Sequence, residues 1–444
     1  MTERRFRWAI GALVLLRVAP ALVVLIANGR SLPLFPGYGY GPPRGDTFGF
    51  YAAAREFISS WTHVPKGLLG AAVIALAVVA VLCVRGWQRG RRAEAIVAAA
   101  VAVGFFVSLA VHEMGLTGAG AVGWPIIWSI PLFPLRAASA LHYHAAFYLG
   151  IAILVAANAV TIVATALLGR RLIGPRLALL APALLVVWPF AMRAIEGTGN
   201  GVYGSWLDDV GVLLYSEPLS TALVTCALAL VVFRTADPAA AALAGALVGF
   251  STAVRVSNAT LVVVLLLAIL SARRWRSAAA FAVAAGGMLV IAATFWSRGY
   301  SSFPSGPSKA APNGLFSWHY IVRSWRDSVV FDWTMLAILV PLPLVGLLAL
   351  RRRTTAVAAL GGIVAVTAAF YSLYYITALH PRFLFVALPS LFVLAAAGVG
   401  LAAERLRGDA AASGDDRNDR AEDQPDHGTD DERGAPRVRR RLYR

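Results

Sequence analysis

The chain of 444 residues is 59% hydrophobic and only 14% charged, with a formal charge of +17 and two cysteines. Apolar runs near 20 residues recur along it, and a helix needs roughly 20 such residues to cross a hydrocarbon core about 30 Å thick. Composition therefore excludes a soluble globular domain; Cys83 and Cys226, both inside apolar runs as small packing residues, exclude a disulfide framework; and the scatter of the positive charge argues against nucleic acid.

Residues 404–444 balance 10 Arg against 11 Asp or Glu, whereas the preceding 403 carry 30 basic and 12 acidic side chains. Most of that excess falls in short clusters between apolar runs, as in cytoplasmic loops of membrane proteins. The predicted fold is an all-α, polytopic transmembrane bundle of about 12 spans, with a tail after residue 403 that lacks apolar periodicity and is expected to be disordered.

Arg4, Arg5 and Arg7 precede a first span over about 8–27, which is too long for a signal-peptide core and is read as retained. Residues 28–66 form a first outer loop. Within it Phe50, Ala53, Ala54, Phe57, Ile58 and Trp61 recur at helical spacing, which predicts an amphipathic helix lying on the membrane interface. Spans at about 67–84 and 95–111 make a hairpin around Arg85, Arg89, Arg91 and Arg92. Residues 112–140 are expected outside or partly re-entrant, with Trp124 and Trp128 as interfacial anchors and Pro131 and Pro134 as breaks.

Further spans follow at about 141–168, 175–192, 213–233, 239–254, 257–272, 277–296, 333–350, 354–377 and 383–403, with a second large outer loop at 297–332. Arg170 and Arg171, Arg234, Arg273 and Arg274, and Arg351 to Arg353 all fall on the inner side in this phase, so both termini are predicted to be cytoplasmic.

The same phase sorts the carboxylates. Before the tail only Glu3, Glu94 and Asp237 fall inside; the other nine acids, among them Asp46, Glu56, Asp208, Asp209 and Glu217, fall in outer loops or near outer helix ends. Carboxylates held near membrane depth are costly and commonly functional. Asp46 stands out: it opens the amphipathic helix, where it could cap the N-terminus, and a carboxylate fixed in that way could also take a proton from an attacking hydroxyl. Gly199-Asn200-Gly201-Val202-Tyr203-Gly204 fits a dinucleotide fingerprint literally, but no strand precedes it. Neither His112-Glu113 nor His142-Tyr143-His144 has the spacing of a metal site, so no metal site is predicted.

Gly45-Asp46 with Tyr51 in the first outer loop, Pro131-Leu132-Phe133-Pro134 before a span ending Gly169-Arg170-Arg171, Ser216-Glu217-Pro218-Leu219, the stretch from Gly249 to Arg255, and His380-Pro381-Arg382-Phe383-Leu384 occur in one order on consistent sides. This pattern, over roughly residues 8–403, resembles the GT-C class of membrane glycosyltransferases that use polyprenyl-phosphate sugars, of the protein mannosyltransferase and aminoarabinose transferase kind. The chain departs from many of these in having Asp46 alone where a pair of acids is common, and in adding the hairpin 67–111.

The resemblance implies transfer of a sugar from a polyprenyl-phosphate donor to a glycan, lipid or protein acceptor on the extracytoplasmic face of the plasma (inner) membrane. Asp46 would be the base of an inverting attack. Arg382, Arg255, Arg193 and Lys309 are the candidates for the donor phosphate, since a departing phosphate needs cations beside it. Tyr51, Asp208, Asp209, Glu217 and His380 are the candidates for sugar or acceptor. Trp318, Tyr320, Trp325 and Trp333 could stack on a sugar or anchor at the interface. No cofactor follows firmly, and a divalent cation stays open. The rival class is a transporter or lipid flippase, which would place charges or broken helices near the midplane; Arg17 within the first span is the notable residue of that kind.

Overall fold

A computed structural model describes residues 2–28, 46–61, 64–113, 123–137, 143–196, 216–299, 311–327, 340–375 and 381–418. Every regular element among them is helical. This is what long apolar runs dictate, because in lipid only a helix satisfies its backbone polar groups within one segment.

In chain order the helices are α1 (Glu3–Asn28), α2 (Asp46–Ser60), α3 (Lys66–Gln88), α4 (Arg92–Glu113), α5 (Gly123–Ala137), α6 (Tyr143–Ile173), α7 (Leu180–Glu196), α8 (Glu217–Arg234), α9 (Pro238–Val254), α10 (Ala259–Ser271), α11 (Trp275–Gly299), α12 (Tyr320–Asp327), α13 (Pro341–Ala349), α14 (Thr354–Leu373) and α15 (Leu388–Asn418). Two 3-10 segments, Val256–Asn258 and Pro381–Ala387, precede α10 and α15. Among the described residues seven helical stretches are long and apolar enough to cross a membrane: Lys66–Gln88, Arg92–His112, Tyr148–Ile173, Glu217–Arg234, Trp275–Phe295, Thr354–Leu373 and Leu384–Leu406. Pro238–Val254 and Val256–Ser271 are shorter apolar helices. The chain is a helical membrane protein.

The packing rests on small residues. On α9, Gly245 lies against the backbone of Phe281 and Gly249 against that of Ala285, so α9 and α11 run parallel in close contact. A Cβ at Gly249 would stand 2.6 Å from the Ala285 carbonyl oxygen. Two glycines four residues apart on one face are what allow helix backbones to approach in a membrane. Gly104 and Gly287 bring α4 onto α11 in the same way. Around this layer a larger core joins α6 to α10, α14 and α15 through residues such as Leu168, Leu228, Leu265, Leu360 and Phe392. Helix α3, by contrast, has no buried residue, as suits a helix turned to lipid.

Two of the arginine clusters meet beside the start of α1. The Glu3 carboxylate pairs with Arg170 at 2.5 Å, and Arg353 donates to the Arg171 carbonyl at 2.6 Å, which joins the start of α1, the end of α6 and the start of α14. Asp237 caps α9 by accepting from the Ala239 N–H at 2.9 Å. Glu3, Glu94 and Asp237 each lie within ion-pair distance of an arginine.

Two expectations change. Helix α2 buries Ala53, Ala54, Phe57 and Ile58 against protein, not lipid. Segment 123–137 is one helix, and Trp124 and Trp128 are fully buried in it, stacked 5.4 Å apart. The Trp128 Nε1–H donates to the Ala146 carbonyl at 2.7 Å, the partner a buried indole requires. Interfacial tryptophan and core tryptophan have the same local sequence, and only the presence of α2 and α6 decides between them. Helix α15 runs past Leu406 to Asn418. Residues 419–444 lie outside the described residues. The chain divides into two compact units, Met1–Leu401 and Ala402–Arg444.

Candidate site at the break between α9 and α10

Ser216-Glu217-Pro218 opens α8 with proline in the first turn, where its missing N–H costs nothing, and with a carboxylate near the positive end of the helix. Helix α9 arrives at the same place and stops. The Ser251 and Thr252 hydroxyls bond back to the Val248 carbonyl at 2.6 and 3.3 Å, which competes with the helical ladder and bends it. Arg255 leaves the helix in an extended conformation, φ −148° and ψ 116°. The Asn258 amide closes the turn: Nδ2 donates to Ser220 Oγ at 2.7 Å and to the Ser251 carbonyl at 3.2 Å. The break is thereby tied to the first turn of α8.

Across that turn the Arg255 guanidinium pairs with Glu217 at 2.5 Å, both side chains being largely buried. Arg255 Nη2 also donates to the Tyr371 hydroxyl at 3.3 Å, and Ser257 Oγ lies 2.7 Å from the same hydroxyl. Tyr371 is buried near the end of α14, and beside it Trp325 Nε1 donates to Ser372 Oγ at 2.6 Å, fastening α12 to α14. Desolvating two charges costs several kcal/mol per ion, and the cost is recovered only when each finds further hydrogen bonds. Tyr371 supplies one. The guanidinium is therefore compensated inside the protein by Glu217.

Tyr51 belongs to the same neighbourhood. It is buried on α2, with its ring 5.8 Å from Trp128 and the Arg55 guanidinium 5.8 Å from its own centroid. Its cluster includes Leu219, two residues after Glu217, and Val254, just before Arg255. Helix α2 packs on α5 and α4, and the buried cluster it forms with Trp124 and Trp128 extends to the first turn of α8 and the last turn of α9. Glu56, half-buried on α2, has its carboxyl pushed above the usual range by desolvation.

The structure therefore pairs Glu217 with Arg255 and places Tyr51 in a buried cluster with their neighbours Leu219 and Val254. Asp46 is the first residue of α2, but its side chain, like those of Arg193 near the end of α7 and Arg382, lies outside the described residues. The 3-10 segment that carries Arg382 packs against α8 and α14, the helices that supply Glu217 and Tyr371. Lys309, Asp208, Asp209, His380 and Trp333 fall outside the described residues. Trp318 is exposed, whereas Tyr320 is buried with its hydroxyl donating to the Gly314 carbonyl at 2.8 Å. Among the described residues no three His, Cys, Asp or Glu side chains gather as metal ligands.

Tyr371, Ser257, Asn258 and Ser220 escaped sequence analysis. The signal for two of them was there: Arg255-Val256-Ser257-Asn258 is a polar run between two apolar helices. Ser220 and Tyr371 are ordinary residues of apolar helices, and only tertiary contact gives them a role. Comparison with models of known protein families and with curated protein sequences finds no match to this chain.

Proposed function

We propose that the protein is a GT-C-like glycosyltransferase of about 12 spans in the plasma (inner) membrane, with both termini cytoplasmic and its site on the extracytoplasmic face. It moves a sugar from a polyprenyl-phosphate donor to a glycan, lipid or protein acceptor. The acceptor hydroxyl oxygen attacks the anomeric carbon and its proton passes to the Asp46 carboxylate. The bond from that carbon to the phosphate oxygen breaks, the polyprenyl phosphate leaves with the electron pair, and the anomeric centre inverts. Arg382, with Arg193 and Lys309, would neutralise the departing phosphate. Arg255, held by Glu217, would orient the site. Tyr51, Glu217, Asp208, Asp209 and His380 would shape the sugar and acceptor side, with any divalent cation at the paired aspartates.

The observation that carries this reading is one shared neighbourhood: Tyr51, Ala53, Ala54 and Ile58 of the Asp46 helix lie in one buried cluster with Leu219 and Val254, next to Glu217 and Arg255, and the Arg382 segment packs on α8 and α14, which carry Glu217 and Tyr371. A transfer assay on purified protein, with polyprenyl-phosphate sugars as donors, tests it. Asp46→Asn is expected to lose activity by about a hundredfold or more, the usual contribution of a positioned base. Full activity in the folded variant removes Asp46 from the role.

A transporter or lipid flippase is the second reading, favoured by the burial of Arg17 within α1. Uptake or lipid flipping in proteoliposomes without sugar transfer would establish it instead.

A further inference from the structure

Arg17 sits on the buried stripe of α1. Phe6, Ile10, Val14 and Arg17 recur at intervals of four, four and three, and the first three pack against Ala166 of α6 and the Ala178–Leu179 turn before α7. Arg17 itself is 5% exposed, so it faces protein and does not reach along the lipid surface to water. At 1.5 Å per residue it lies roughly 20 Å along the axis from Glu3, which pairs with Arg170.

An arginine stays charged, and burying that charge uncompensated costs several kcal/mol. Nη1 and Nη2 are both buried, and neither has a hydrogen-bond partner among the described residues. The neighbour Arg17 does have is the Phe385 ring, 5.6 Å from its Cζ. A cation over a ring returns about 2 kcal/mol at most in a desolvated setting and satisfies no N–H. The position therefore asks for an anion, and a forked one, because two adjacent N–H groups match two oxygens of one phosphate or carboxylate. Phe385 belongs to the Pro381–Ala387 segment, which packs on α8 and α14 and opens the span Leu384–Leu406. Arg17 is thus level with the segment that opens the span Leu384–Leu406, toward the end of the helices away from Glu3 and Arg170.

We propose that Arg17 binds the phosphate of a membrane lipid, namely the polyprenyl phosphate that serves as donor carrier. The identity of the lipid rests on the proposed function; the anion site does not. Binding is measured on the full-length protein in detergent by native mass spectrometry, with polyprenyl monophosphate, the uncharged polyprenol and inorganic phosphate as probes. Polyprenyl monophosphate is expected to bind the wild type, and Arg17→Gln to weaken it by about tenfold or more, the worth of a hydrogen-bonded charge. Polyprenol is expected to bind both proteins weakly and alike.

Equal affinity of Arg17→Gln and wild type for polyprenyl monophosphate would overturn the proposal, and so would displacement of the lipid by an equal concentration of inorganic phosphate. Should Arg17→Gln fail to fold, Arg17→Lys keeps the charge but loses the fork. A several-fold loss is then expected, and unchanged binding overturns the site. A loss of thermal stability in Arg17→Gln with unchanged lipid binding assigns Arg17 to an acidic side chain of the protein instead. Arg17-dependent lipid binding without sugar transfer sinks the transferase reading and leaves this one standing. Sugar transfer by Arg17→Gln with an unchanged donor KM sinks this one alone.

Discussion

Glu217 and Arg255 form a largely buried ion pair, and that pair makes a quantitative prediction. Removing one member of a buried pair leaves the other charge uncompensated, at about 3–5 kcal/mol. Arg255→Met and Glu217→Gln are each expected to lower stability by that order, and the double variant by clearly less than the sum. Thermal or denaturant unfolding in detergent, arranged as a double-mutant cycle, measures the coupling. Additive effects would show that the pair contributes nothing. At this scale the sequence placed Tyr51, Glu217 and Arg255 on one side as separate candidates, because a periodic apolar pattern reports which helix end a residue occupies. It did not report that Arg255 is neutralised by Glu217, since that depends on how α8 and α9 pack.

At the scale of elements, the close approach of α9 to α11 depends on glycine. Gly249→Leu is expected to force the helices apart and cost about 1–3 kcal/mol or more, in line with other overpacked interfaces, and to lower the thermal midpoint measured in detergent. The equivalent change at Gly70 of α3, where no atom lies near an added Cβ, is expected to have little effect. The two glycines look alike in sequence, each inside an apolar run. Burial separates them: α3 has no buried residue, whereas α9 is enclosed between α4, α8 and α11. The same distinction converted α2 from an interfacial helix to a packed one, and moved Trp124 and Trp128 from anchors to core.

For the whole molecule, the parallel course of α9 and α11 and the meeting of Glu3, Arg170 and Arg353 at one end fit the alternation expected from the arginine clusters. With Cys83 and Cys226 replaced by alanine, single cysteines at Arg89, Ala236 and Arg352 are expected to react with a membrane-impermeant maleimide only after permeabilisation. A cysteine at the exposed Trp318 is expected to react in intact cells. Labelling of the first three together with the last would overturn the proposed orientation.

The sequence by itself determined that this is a helical membrane protein and where most of its helices run, because the energetic demand of lipid on the backbone is local and is written in run length and arginine clusters. Only the tertiary structure decided which carboxylate meets which cation. The tie from Asn258 to Ser220, the Tyr371 hydroxyl beside Arg255 and the enclosure of Arg17 arise from side chains distant in the chain. Charge compensation in a low-dielectric interior depends on distances of a few ångströms that no local pattern encodes.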